Sequence, residues 1–227
     1  MNLKQWFPIY TEICNSLSID PASDFMASVR LSSMIGSRNF GIPEEFKDRE
    51  FSIFGPALRR YEPVGRHDII VVADSGIERF LSIYGMNPDI IVTDLDGGIP
   101  LIKKCNEEGT FLFIHAHGDN MNLIREFVPG LNSGFICTTQ NFPLHNVMNY
   151  CGFTDGDRAV FISMAMKAPS VTIHGFDFSS PVIKTSLDSE RKMKKLKIAE
   201  SLISMADREM KLAGLSGVSF FNKNIRL

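Results

Sequence analysis

The sequence predicts an α/β fold: a mostly parallel sheet with helices on both faces, preceded by a small N-terminal helical unit. Three observations predict it. Short runs of β-branched and aromatic residues recur from Phe51 onward, in "FSIFG", "DIIVVAD", "DIIVTD", "TFLFIH", "GFICTT" and "SVTIHG", with "VSFFN" a further candidate near the C-terminus. Most of these runs are continuously apolar, as strands covered on both faces must be. The stretches between most of them are long enough for a helix, which is the repeating pattern of a parallel sheet. A chain of 227 residues, 44% of them hydrophobic, can bury one sizeable domain of this kind plus an appendage.

The elements follow in order. Trp6, Ile9, Tyr10, Ile13 and Leu17 fall at helical spacing. Asp20-Pro21 then caps a second helix carrying Phe25, Val29 and Met34. "GIPEEFKDRE" is a polar connector, so residues 1–48 form the helical unit and 49–227 the α/β domain. In "GFTDGDRAVFISMAMKA", Thr154 is the N-cap of a largely buried helix, with Asp155 and Asp157 in its first turn, where the helix dipole favours acids. In "SERKMKKLKIAESLISMADREMKLAG", Met193, Leu196, Ala199, Leu202, Ile203 and Met205 trace an apolar stripe. Its lysines form a solvated face, while Lys192, Lys194 and Lys195 near the helix start are candidates to reach an anionic cofactor.

Composition excludes several classes. A formal net charge of −2 leaves no excess to attract nucleic acid or an anionic membrane. The N-terminus lacks the basic-then-apolar pattern of a signal peptide, and no run approaches the roughly 20 apolar residues of a membrane span. A cytoplasmic protein is expected. Cys14, Cys105, Cys137 and Cys151 are scattered without a CxxC pair, as reduced buried thiols would be.

The polar residues share one position. Gly55-Pro56, Asp74-Ser75-Gly76, Asp94-Leu95-Asp96, His115-Ala116-His117, Thr138-Thr139-Gln140 and Gly175-Phe176-Asp177 each directly follow a predicted strand. In a parallel sheet these ends lie on one edge, where open α/β folds bind ligands. The expectation is a large polar cleft.

Individual motifs leave alternatives open. "IVTDLDGG" fits a phosphatase that attacks with Asp94, although Gly98 stands where such motifs carry Thr or Val. It fits equally a pair, Asp94 and Asp96, that only holds a metal. "HAHGDN" imitates a zinc motif but ends in Asn120 rather than His, and the chain has only five histidines. Alternatively, Gly118-Asp119-Asn120 opens a helix whose N-terminus holds phosphate, with His115 and His117 as polar ligands or orienting groups. Asp157 offers a second acidic site, with capping alone the competing role for Asp155. Arg158 offers a planar fork for phosphate.

In this order, "FGPALRR", "PDIIVTDLDGG", "HAHGDN", "GFTDGDRA", "GFDF" and "KMKKLKIAE" resemble the archaeal-type 6-hydroxymethyl-7,8-dihydropterin pyrophosphokinases, distant relatives of thiamin pyrophosphokinase. The resemblance covers most of the chain after residue 50. It implies a thiamin-pyrophosphokinase-like catalytic domain and a Mg²⁺-dependent reaction in which ATP gives its diphosphate to a pterin, in folate or methanopterin synthesis. "ADSG" and Gly98 depart from the usual pattern. On this reading Asp94, Asp96 and Asp157 hold the metal, with Asp74 or Asp119 taking the acceptor's proton. Gly55, Pro56, Asp74, His115, His117, Gly118, Asn120, Arg158, Lys194 and Lys195 surround nucleotide and substrate. A thiamin-pyrophosphokinase-like enzyme with another acceptor, a nucleotide-sugar-dependent transferase and a non-catalytic nucleotide-binding protein are the alternatives. Expected partners are small molecules, without nucleic acid or membrane; no sequence feature decides for or against a homodimer.

Overall fold

The structure, a computed structural model, describes residues 1–38, 41–131, 134–180 and 189–221. Its helices are α1 (Leu3–Leu17), α2 (Pro21–Ile35), α3 (Ile77–Tyr84), α4 (Ile99–Glu107), α5 (Met121–Phe127), α6 (Asp155–Ala165) and α7 (Ser189–Leu212). Its strands are β1 (Phe51–Phe54), β2 (Ile69–Ala73), β3 (Ile90–Thr93), β4 (Phe111–Ala116), β5 (Phe135–Thr139), β6 (Val147–Met148), β7 (Ser170–His174) and β8 (Gly217–Phe220). They form one sheet in the order β6-β5-β4-β3-β2-β1-β7-β8, and every neighbouring pair is parallel. The chain steps outward from β1 to β6, then crosses back to lay β7 and β8 on the other side of β1. The point where strand order reverses therefore lies between β1 and β7.

Side chains alternate across the sheet, because successive residues of a strand point to opposite faces. Phe51, Ile53, Val71, Val92 and Phe113 join one core with α1, α6 and α7. Phe54, Ile70, Val72, Ile91 and Ile114 join the other with α2, α3, α4 and α5. Each large side chain so buried contributes about 1.5–3 kcal/mol, and both faces need it, which is why the strands read as unbroken apolar runs.

The two N-terminal helices divide between these cores. Trp6, Tyr10, Ile13 and Leu17 of α1 enter the first, whereas Ala27, Leu31 and Ile35 of α2 enter the second. The expected segment 1–48 thus has no core of its own. Ser18 ends α1 in the left-handed conformation at φ 53°, and the Asp20 carboxylate accepts hydrogen bonds from the amides of Ala22 and Ser23 to start α2. That short turn carries the chain from one face of the sheet to the other. Among the described residues no helix is long and apolar enough to cross a membrane.

Candidate active site

The residues after β2 and β3 form the centre of the site. Asp74 is buried at the end of β2, where its Oδ2 accepts a 2.6 Å hydrogen bond from the Thr93 hydroxyl. Its Oδ1 is buried with no hydrogen-bond partner. The Thr93 oxygen also accepts from the amide of Leu95 at 2.8 Å. Leu95 is fully buried at φ 68°, a conformation costly for a residue with a side chain. Burying this one side chain turns its neighbours Asp94 and Asp96 toward the solvent-facing edge. An amide bond of 3.2 Å from Asp96 to Asp94 Oδ1 closes the turn. Oxygens of Asp74, Asp94 and Asp96 lie within 4.8 Å of one another, the one group of three potential metal ligands among the described residues.

Electrostatics separates the members of this group. Burial pushes the Asp74 carboxyl up to about 7, helped by the neighbouring charges of Asp94 and Asp96. Burial would also raise Asp94, but the His117 hydrogen bond, together with the charges of His117 and Arg158, holds it below the ordinary carboxylate value. His117 accepts the Asp119 amide at Nδ1, 3.3 Å away, so the opposite nitrogen, Nε2, carries the proton toward Asp94 Oδ2 at 3.4 Å.

The "HAHGDN" segment supports the acidic loop. Asn120 is fully engaged: its Nδ2 donates to the carbonyls of Asp94 at 2.6 Å and His115 at 2.7 Å, while its Oδ1 accepts from the His117 amide. The Gly118 amide is equally committed, donating to the Asp24 carboxylate at 2.8 Å. Asn120 and Gly118 therefore brace the loop, a role beside their expected place among ligand-binding groups. The helix that follows starts only at Met121 and has seven residues. Asp119 is exposed. His115 is buried, and its Nδ1 meets the Thr138 hydroxyl at 3.1 Å. Burial, reinforced by the charges of Arg158 and His117, keeps the ring neutral, and its Nε2 has no hydrogen-bond partner.

The start of α6 gives Asp157 a capping role. Asp157, expected on the metal, is fully buried and folds back on its own helix. It accepts hydrogen bonds from the amides of Phe153 and Thr154 and from the Thr154 hydroxyl, using both oxygens. The third acid grouped with Asp94 and Asp96 is Asp74. Asp155 is the acid of this turn that senses the site. Burial and the charges of Asp94, Asp74 and Asp96 raise it far above its usual value, against the pull of Arg158. Arg158 does not offer a free fork. Its Nη1 pairs with Asp155 at 2.9 Å and its Nη2 donates to the Phe153 carbonyl, leaving only the buried Nε without a partner. It acts as a buried positive charge on Asp94, Asp155 and Asp157.

Gly55 and Pro56 follow β1 at the switch point. A Cβ on Gly55 would come 2.9 Å from the Gly175 carbonyl oxygen, so only glycine permits this approach of two loops. Pro56 lines a cleft with Arg59, Arg79, Asp177 and Ser180. Lys194 pairs with Glu190 at 3.0 Å, and Lys195 stands 5.8 Å above the Phe153 ring. The predicted site residues omit Thr93 and Asp24, and Gln140 appears only among the polar residues that follow a strand. Thr93 ends a predicted strand beside the acids, whereas Asp24 is brought to the site only by long-range packing.

An all-parallel sheet whose C-terminal edge gathers a buried acid, two further acids and a flanking histidine defines an α/β enzyme with an acidic ligand cleft. Residues 55–182 match the profile of the MptE-like family, described as 6-hydroxymethylpterin diphosphokinase MptE-like. The chain is 34% identical to a 6-hydroxymethyl-7,8-dihydropterin pyrophosphokinase of Methanocaldococcus jannaschii, over 90% of this chain and 95% of the relative. It is 33% identical to the protein of that description from Methanothermobacter thermautotrophicus, over 92% and 96%. With the Pyrococcus furiosus protein of the same description it shares 34% identity, over 89% and 93%. The chain belongs to the MptE-like diphosphokinase family.

Proposed function

We propose that this enzyme transfers diphosphate from ATP to 6-hydroxymethyl-7,8-dihydropterin with the help of Mg²⁺. The acceptor's hydroxymethyl oxygen forms a bond to the β-phosphorus. The bond from that phosphorus to the oxygen bridging it to the α-phosphorus breaks, AMP leaves with that oxygen, and the hydroxyl proton is released. The observation that carries the reading is the three-carboxylate group of Asp74, Asp94 and Asp96, in a chain alike over nearly its whole length to pterin pyrophosphokinases.

The residues fit a divalent cation. Magnesium favours a few carboxylates plus phosphate oxygens and water, and the unpartnered Oδ1 of Asp74 supplies a lone pair where the other two acids converge. Bound there, the ion would neutralise charge on the transferring phosphates. His117 and Arg158 keep Asp94 ionised for that task. With its carboxyl raised to about 7, Asp74 divides near neutral pH between protonated and ionised forms, and the proton must leave before a cation takes its place, so cation affinity rises with pH through about 7. Of the two carboxylates considered for the acceptor's proton, Asp74 belongs to the group and Asp119 lies outside it.

The test is product analysis with ATP, Mg²⁺ and the pterin, with thiamin substituted in parallel. AMP formation with the pterin alone supports the reading. AMP with thiamin alone would redirect it to another acceptor; ADP or inorganic phosphate would overturn diphosphoryl transfer.

A further inference from the structure

Asp24, on α2, is 2% exposed and carries a carboxylate far from solvent. Its Oδ1 accepts from the Gly118 amide at 2.8 Å, and its Oδ2 accepts from the Tyr10 hydroxyl at 2.7 Å and Gln140 Nε2 at 2.5 Å. These donors come from α1, from the loop after β4 and from the loop after β5. The junction is reinforced at both ends. Trp6 Nε1 donates to the Gln140 carbonyl at 2.8 Å, and the hydroxyls of Ser28 and Thr139 meet at 2.7 Å. A Cβ on Gly118 would fall 2.3 Å from Ser23 Oγ, so α2 seats directly on this loop.

A buried acid is an expensive way to pack a helix, since an apolar side chain would fill the space at lower cost. What it provides is direction: three donors converge on one fixed point. From Gly118 two routes lead to the site. His117, one residue before, meets Asp94 Oδ2 at 3.4 Å. Asn120, two residues after, holds the Asp94 carbonyl at 2.6 Å.

We propose that Asp24 is a positioning residue: it fastens the N-terminal helices to the Gly118 amide and so holds His117 and Asn120 against Asp94. The kinetic part rests on the proposed diphosphoryl transfer; the structural part does not. The active site is therefore completed by helices from outside the matched segment 55–182.

The test joins amide hydrogen exchange in the ligand-free protein to kinetics. Asp24→Asn leaves one acceptor oxygen where the carboxylate offered two, so the Gly118 amide must compete for it with Gln140 Nε2 and the Tyr10 hydroxyl. Exchange at Gly118 and Asn120 should accelerate about tenfold while β3 stays protected, and kcat should fall about tenfold with KM for ATP changed less than about twofold. Combining Asp24→Asn with Gln140→Glu restores an acceptor opposite the new amide and should recover most of both losses. In a His117→Gln background, Asp24→Asn should lower kcat by less than about twofold more, because the contact it supports is already gone. Unchanged exchange at Gly118, no recovery in the exchanged pair, or full multiplication of the losses with His117→Gln would each overturn the proposal. A wild-type enzyme that forms no AMP would remove the proposed reaction instead, and the exchange data would still decide the role of Asp24.

Discussion

Two segments of this chain carry nearly the same letters, "TDLDGG" at Thr93–Gly98 and "TDGDRA" at Thr154–Ala159, and use them in opposite ways. In the first, the threonine hydroxyl turns inward to Asp74, Leu95 is buried, and both aspartates face the cleft. In the second, the threonine caps α6, Asp157 bends back on the helix start, and Asp155 pairs with Arg158. The difference is the backbone that follows. A helix beginning directly after the threonine offers free amides, and the acid three residues on satisfies them. In the left-handed turn after Thr93 the Leu95 amide goes to the threonine oxygen and the Asp96 amide to Asp94 Oδ1, and both aspartates stay at the cleft edge beside Asp74. Composition alone does not distinguish a capping acid from a binding one.

The strongest way to break this contrast is Asp94→Asn. It should lower kcat by on the order of 10³-fold while leaving the fold intact, and the mutant should lose the rise in melting temperature that Mg²⁺ gives the wild type. Near-normal turnover at saturating ATP and Mg²⁺ would end the ligand-binding reading of the first segment.

Next in size is a pH effect on Asp74. Its carboxyl is raised in the folded state from 3.8 to about 7, so the folded protein holds the proton more tightly than the unfolded chain. Its contribution to stability is full below about pH 4 and is lost as pH rises through about 7, amounting to at most about 4 kcal/mol. Asp74→Asn should flatten that part of the slope in urea unfolding without metal, and should leave the mutant more stable than wild type at pH 7.5.

Asp157→Ala should move the other observable. Losing the capping bonds should cost about 2 kcal/mol of unfolding free energy, with kcat of the folded enzyme within about threefold of wild type. Lost turnover at unchanged stability would instead place Asp157 at the cleft. The smallest effect is expected for Lys194→Ala. Its exposed pair with Glu190 should contribute under about 0.5 kcal/mol, and steady-state rates should stay within about twofold.

Most of the sheet is legible in the sequence, because strands buried on both faces announce themselves as unbroken apolar runs; seven of the eight strands coincide with predicted runs. The exception, β6, has two residues, too few to carry a pattern. Helical spacing shows that α1 and α2 are amphipathic but not which core each joins, so their division between two faces is invisible before folding. For the site, Asp94 and Asp96 stand out locally. The Thr154–Asp157 spacing already carried a capping signature that competed with metal binding. Asp24 gave no signal, because its partners Gly118 and Gln140 lie 94 and 116 residues away.

That last separation has a consequence for how the enzyme is made. The first helix leaves the ribosome early, yet the carbonyl its Trp6 bonds belongs to a residue 134 positions later. Until that residue is synthesised, α1 and α2 lack the edge they fasten, and the closure entropy of the intervening chain opposes their docking. A chain cut short before Gln140 has the acids of the cleft without the partners that fasten α1 and α2 beside them.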